Sequence, residues 1–168
     1  MTYAIQPFRP GQAQEVLDLI LPIQQIEFGV PITAQDQPDL ARIPEVYQRG
    51  RGGFWVGLYG GRVVGTVGLL DFGIPPRGGG ALRKMFLHPD HRGTGLAATL
   101  LGTLVNHARS EGVPDIWLGT LPQMTVAHSF YERHGFQRVI AEDLPPDFPR
   151  MKVDTVFYRL RLTHAPTR

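Results

Sequence analysis

A chain of 168 residues, 42% hydrophobic and 19% charged, is long enough to bury one substantial core, and residues 1–168 are expected to form a single domain. The net charge of +2 comes from scattered arginines, which gives nucleic-acid binding little support, and the absence of cysteine excludes disulfides, a thiol nucleophile and sulfur-ligated zinc, so no metal site is expected. The N-terminus MTYAIQPFRPGQ lacks the basic start and apolar stretch of a signal peptide, and the longest apolar candidate, Phe54 to Leu70, is broken by glycines and Arg62; a cytoplasmic protein without a membrane span is the expectation.

In chain order, Tyr3 to Phe8 alternates apolar and polar residues as a strand does, ended by Pro10-Gly11. Gln12 to Leu21 carries Val16, Leu17, Ile20 and Leu21 on one helical stripe that Pro22 ends or kinks. Pro31 to Pro38 reads as extended and polar, and a second short helix is expected around Leu40 to Arg49. Phe54 to Tyr59 and Val63 to Leu70 are strands joined by Gly60-Gly61, a hairpin signal. Phe72 to Gly80, with Pro75-Pro76 and three consecutive glycines, reads as a flexible loop before the strand Leu82 to Leu87. A helix follows from about Thr94 to Glu111, with Leu100, Leu101, Leu104, Val105 and Ala108 as its buried stripe, His107 and Arg109 near its C-terminal dipole, and Gly112 and Pro114 closing it. Ile116 to Thr120 is a strand, Thr125 is placed to cap a helix that ends at Gly135, and Phe136 to Ala141 and Asp154 to Leu162 are two final strands. Thr163 to Arg168 is a short tail.

The organising stretch is Leu82 to Leu101, in which a strand, a turn and a helix succeed one another. Gly93 and Gly95 remove Cβ atoms where backbone can meet a ligand closely, and the helix that follows presents unpaired N–H groups and a positive dipole end. Such a turn is an anion site suited to a pyrophosphate. A nucleotide P-loop needs Lys-Ser or Lys-Thr after its last glycine, and Gly95 is followed by Leu96-Ala97; a Rossmann turn needs a third glycine and an N-terminal βαβ unit. Neither pattern is met.

Arg92, Gly95 and Ala97, in R-x-x-G-x-A after the strand that ends in His88-Pro89, resemble motif A of the GNAT superfamily, the acetyl-CoA-dependent N-acetyltransferases. Ala127 to Phe136 resembles the A-x-x-x-Y-E-x-x-G-F segment of motif B, in the family's order and spacing. The resemblance runs from about Val63 to Leu162 and implies an α/β fold, a mixed sheet in the order β-α-α-β-β-β-α-β-α-β-β with two central strands splayed apart. It further implies that pantetheine lies along Met85, Phe86 and Leu87 and that the amides of Arg92, Gly93, Thr94, Gly95, Leu96, Ala97 and Ala98 surround the pyrophosphate. Tyr131, in the tyrosine position of motif B, is implied to face the cofactor sulfur as the proton donor. The acceptor implied is a primary amine of a small molecule or peptide, with no nucleic acid and no membrane partner; homodimers are common among proteins of this kind.

The demand for a base depends on that amine. At pH 7 a lysine-like amine of pKa about 10.4 costs roughly 4.6 kcal/mol to neutralise, an α-amine of about 7.7 to 8.0 only about 1. The family often places a glutamate where this chain has Ala81, which leaves Glu27, Asp71 or a water chain as candidates. Glu27 stands where the family builds one wall of its acceptor pocket; His88, before a proline turn, and His134, in a helix's last turn, read as structural. Met124 replaces an asparagine frequent in motif B. Ala81 and Met124 together are what a non-catalytic acyl-CoA-binding or regulatory module of the same fold would show. Loop carboxylates Glu27, Asp36, Asp39, Asp71, Glu142, Asp143 and Asp147 suggest a cationic acceptor.

Overall fold

The computed structural model describes residues 2–74 and 78–163, so the expected Pro75-Pro76 turn and the tail from His164 to Arg168 lie outside the described residues. Seven strands form one sheet in the order β1-β2-β3-β4-β5-β7-β6, where β1 is Ala4–Pro7, β2 Gly53–Tyr59, β3 Arg62–Phe72, β4 Gly79–Leu87, β5 Asp115–Thr120, β6 Gln137–Val139 and β7 Val156–Arg161. Neighbours are antiparallel except β4 and β5, which are parallel as a strand–helix–strand crossover requires. The helices are α1 Ala13–Pro22, α2 Ile43–Val46, α3 Leu96–Ser110 and α4 Thr125–Arg133, which gives the expected order β-α-α-β-β-β-α-β-α-β-β.

Alternation along the strands divides the core between the two faces of the sheet. Trp55 and Val64 join Leu96, Leu100, Leu101, Leu104 and Ala108 of α3 and Tyr131 of α4 in one cluster, while their chain neighbours Phe54, Val56 and Val63 pack with Val16, Leu19 and Ile20 of α1 and with Leu40, Ile43 and Tyr47. Each fully buried leucine of α3 contributes about 1.5–3 kcal/mol, so the α3 stripe is the main tie between helix and sheet. His107 does more than meet a dipole: its Nε2 lies 3.1 and 3.0 Å from the carbonyls of Arg51 and Gly52, so it donates there and docks α3 on the start of β2.

α1 ends at Pro22, and the chain runs on as a π turn, Ile23–Glu27, with Phe28 N–H donating to Ile23 O at 3.1 Å. Four local expectations change. The second helix shrinks to a 3₁₀ turn, Pro38–Ala41, and the four-residue α2, because Arg42 between them is not helical. Gly79 and Gly80 belong to β4 and not to the preceding loop: a Cβ on Gly80 would stand 2.5 Å from Leu69 Cδ1, so close packing, not turning, selects glycine there. Thr125 is the first residue of α4, the capping position falls to Met124, and β6 is three residues long.

Candidate functional site

β4 and β5 pair only at Gly80↔Ile116 and Ala81↔Trp117; beyond these the strands part. Two causes are visible. β5 is paired over its whole length with β7, which draws it away, and β4 bulges so that Thr66 faces Phe86 while Gly68 faces Arg83, leaving Lys84 and Met85 opposite Val67 alone. Lys84 has φ 56°, the one positive φ of a non-glycine among the described residues, and Thr66 Oγ1 fixes the strained backbone by donating to its carbonyl at 2.7 Å. The parting opens a cleft between Met85 and Phe86 on one wall and Leu118, Gly119 and Thr120 on the other, with Tyr131 and Asp154 facing in. The β4 edge beyond Ala81 has no β5 partner, so an extended, amide-bearing arm such as pantetheine can pair with it.

At the end of that edge lies the glycine turn. Gly93 and Gly95 have φ of 68° and 89°, conformations that a side chain resists, and a Cβ on either would point into open space. Thr94 Oγ1 donates to His91 O at 2.7 Å and holds the turn, while the amides of Gly93, Gly95, Ala97 and Ala98 find no protein acceptor among the described residues. A row of free amides at the start of a fifteen-residue helix fits a pyrophosphate. Each charge-assisted bond so formed is worth about 1.5–3 kcal/mol.

Arg92 and Glu27, expected in separate roles, meet each other. Arg92 Nη1 and Nη2 each donate to a Glu27 carboxylate oxygen at 2.7 Å, and Arg92 Nε and Nη2 also reach Leu87 O at 3.2 and 3.1 Å. The Arg92 hydrogen bonds hold the Glu27 carboxyl below its usual range against a small opposing effect of burial, and Glu27 is not among the residues lining the cleft. A carboxylate with lowered pKa, engaged by a fork, is a poor base, and the contact ties Glu27 to the turn at Arg92. Asp71 is likewise engaged: Arg51 donates to it from N, Nε and Nη2 at 2.9, 3.2 and 2.9 Å. Burial would raise the Asp71 pKa, but these bonds outweigh it and lower it. Asp36 caps Thr33, Asp39 accepts from Tyr47 OH at 2.6 Å, and Asp143 accepts from Ile140 N–H. None of the seven loop carboxylates lines the cleft, which removes the motive for a purely cationic acceptor. His88 and His134 hold local backbone, at Asp90 N–H and Phe130 O.

Tyr131 lines the cleft, with its ring against Phe130, Phe136 and Tyr158. Its hydroxyl has no protein hydrogen-bond partner among the described residues, and burial, then the nearby Asp154 charge, raises its pKa well above the ordinary tyrosine value. Thr120 Oγ1 contacts Met124 Sδ at 3.4 Å, so the methionine fills the place of the family's usual amide. Ala81 is buried in the β3–β4–β5 pairing, where a glutamate side chain would find no water.

The sequence reading missed the charges at the other end of the cleft. Lys84 Nζ donates to Gln37 Oε1 at 2.6 Å and lies 3.7 Å from Asp39 Oδ2; burial lowers its pKa to about 8. Gln37 in turn exchanges two 2.9 Å hydrogen bonds with Gln24, which lines the cleft. Among the described residues Arg83 donates only to Met151 Sδ, at 3.1 Å. Asp154 sits against β5, where a Cβ on Gly119 would be 2.8 Å from its Oδ2, and burial raises its pKa although Arg83, Lys84 and Arg150 partly offset that. The signal available in sequence was slight: a charged pair, Arg83-Lys84, inside a core strand.

Among the described residues no cluster of His, Asp or Glu could hold a metal, and no helix is long and apolar enough to cross a membrane. Residues 17–136 match the Acetyltransferase (GNAT) family. The chain is similar to N-acetyltransferase family 8 member 2 of Rattus norvegicus, 38% identical over 104 residues, which are 61% of this chain and 46% of that protein. It is similar also to N-acetylaspartate synthetase of Danio rerio, 31% identical over 129 residues, 75% of this chain and 45% of that protein; the chain thus spans about half the length of the curated relatives it matches. An acetyltransferase of the GNAT family from Staphylococcus aureus Mu50 superposes with a TM-score of 0.91 at 31% identity, over 96% of this chain and all of that one (100%). An N-acetyltransferase from Thermoplasma acidophilum, solved in complex with coenzyme A, shares the fold with a TM-score of 0.72 at 14% identity, over 96% of this chain and 99% of that one. The parted strands, the amide-lined turn and the cleft tyrosine thus coincide with a family match over most of the chain, which belongs to the GNAT family of acetyltransferases.

Proposed function

We propose that the chain is an N-acetyltransferase that takes acetyl-CoA as co-substrate and moves the acetyl group to a primary amine of a small molecule or peptide by direct attack. The observation that carries this reading is the free edge of β4, which runs from the cleft lined by Tyr131, whose hydroxyl has no protein partner among the described residues, toward the turn that carries the amides of Gly93 to Ala98. The name of the Danio rerio relative supports a small amine acceptor.

In this reading Met85, Phe86 and Leu87 lie along the pantetheine, and the amides of Arg92, Gly93, Thr94, Gly95, Leu96, Ala97 and Ala98 hold the pyrophosphate, with the Arg92 side chain kept at Glu27 and Leu87. Bound there, acetyl-CoA supplies an activated thioester carbonyl. Tyr131 is the acid: its raised pKa keeps the proton in place at neutral pH, and the hydroxyl gives it to the departing sulfur as the C–S bond breaks. No carboxylate occupies the Ala81 position, and with Asp71 and Glu27 engaged by arginines a water chain is the candidate left to take the proton that the attacking amine gives up. A homodimer rests on the family resemblance alone.

Thiol release from acetyl-CoA with a panel of primary amines tests the reading. Amine-dependent release is expected; tight acetyl-CoA binding with no release for any amine is the behaviour of the non-catalytic module.

A further inference from the structure

We infer that the acceptor is a zwitterion, a small amino acid with an apolar side chain whose ammonium is taken by Asp154 and whose carboxylate is taken by Arg83. This rests on the acetyl-transfer reading and names the substrate class of that same cleft.

Two opposite charges share the cleft and do not meet. Asp154 and Arg83 both line it, yet no ion pair joins them, and among the described residues neither has a charged partner within 4 Å. The remaining charges are already occupied: Lys84 is held by Gln37 and Asp39, and the Arg150 guanidinium lies 4.9 Å over the Phe157 ring. Half-buried opposite charges left apart are costly, and a fold selected only for stability would bring them together or remove them.

Both are held where they are. A turn in which Asp154 N–H donates to Met151 O at 3.2 Å, followed by Thr155 N–H on Thr120 O at 3.2 Å, sets the Asp154 backbone, and the missing side chain of Gly119 makes the seat for its carboxylate. Arg83 is fixed by its place in β4 opposite Gly68, one residue before the bulge, and the thioether of Met151 is a weak acceptor that an anion can replace. An amine alone would satisfy Asp154 and leave Arg83; an anion alone would do the reverse. Only a molecule carrying both charges answers both residues.

Position and lining agree. Asp154 is close enough to Tyr131 to raise the pKa of its hydroxyl, so an ammonium on Asp154 stands beside the group that faces the cofactor sulfur. Val30, Ile32, Phe148, Met151 and Val153 complete the acceptor wall and suit an apolar side chain.

The test uses the full chain with saturating acetyl-CoA and three matched sets: leucine, methionine and phenylalanine, each with its amide and its decarboxylated amine. At least one amino acid is expected to exceed its amide and its amine by about tenfold or more in kcat/KM, because a site built for two charges rejects an analogue that lacks one. Arg83→Gln is expected to bring the acid-to-amide ratio within about twofold, while Arg83→Lys keeps most of the preference since the cation survives. Asp154→Asn is expected to lower kcat/KM for the amino acid about tenfold or more, with calorimetric acetyl-CoA affinity and thermal unfolding showing a folded protein. Amides or amines turned over as well as the acids, or a preference that persists in Arg83→Gln, overturns the zwitterion while acetyl transfer stands. No acetylation of any member overturns the zwitterion, and acetyl transfer falls with it only where the wider panel of primary amines also gives no thiol release.

Discussion

The turn at the start of α3 and the acceptor wall at the far end of the cleft are built from different material. The turn offers backbone: amides without protein partners among the described residues, two glycines at positive φ, and a helix end. The far end of the cleft offers side chains, Arg83 and Asp154, that come from β4 and from the loop before β7, some seventy residues later in the chain. A backbone site tolerates most side chains but not a changed conformation, whereas a side-chain site can be rewritten one residue at a time without disturbing the fold. The arrangement suits a transferase whose donor is constant and whose acceptor is a matter of selection.

The largest expected effect attacks the backbone site. Gly95→Glu puts a side chain on a residue at φ 89° and a negative charge beside the pyrophosphate, and acetyl-CoA affinity by calorimetry should fall about 100-fold; an unchanged Kd would remove the turn from the cofactor site. Next is the chemistry between the two ends. Tyr131→Phe keeps the ring packing and removes the proton, so kcat should fall at least about tenfold with little change in acetyl-CoA binding. A wild-type kcat, with chemistry rate-limiting, returns Tyr131 to the core.

Smaller effects sharpen the contrast through stability. The folded pKa of Asp154 is raised, so its charged form is disfavoured in the fold, and wild-type stability declines as pH rises from the ordinary carboxylate value through the raised one. Asp154→Asn is therefore expected to raise Tm at pH 7 while it impairs turnover, with the gain vanishing in acid where both states of Asp154 are protonated. Lys84 has the opposite charge and its own window. Because burial lowers its pKa to about 8, the unfolded chain holds a proton that the folded one lacks between there and about 10.5, and stability from this group rises with pH across that range. Lys84→Met should flatten that rise in chemical denaturation; an unchanged slope would mean that Gln37 and Asp39 hold Lys84 fully charged. The smallest effect belongs to the contact between Glu27 and Arg92. Glu27 and Arg92 side chains are 34% and 40% exposed, so solvent screens the pair and Glu27→Gln should cost no more than about 1 kcal/mol of stability and shift acetyl-CoA affinity about twofold to threefold. A much larger loss of kcat with unchanged affinity would identify Glu27 as a base.

Much of the cofactor end was legible in the chain. R-x-x-G-x-A is a local pattern because a turn and a helix start are local structures, determined by residues within a few positions of one another, and the same holds for the stripes of α1 and α3 and for the hairpin at Gly60-Gly61. Tyr131 was singled out because motif B is also one contiguous segment. The partner of Glu27 was not legible, because its carboxylate is engaged by Arg92, sixty-five residues later, and no local signal announces that partner.

The sequence by itself determined the order of the elements and the place of the glycine turn, since both follow from short-range periodicity and from what glycine and proline permit, while the mixed sheet was implied by the resemblance of two contiguous motifs. The tertiary structure alone decided that β4 bulges at Lys84 and parts from β5 after Ala81, that Glu27 and Asp71 are spent on arginines, and that Asp154 and Arg83 face one cleft without touching. The physical reason is one of range: backbone geometry is set by neighbours in the chain, but the protonation and availability of a charge are set by whatever the fold packs beside it.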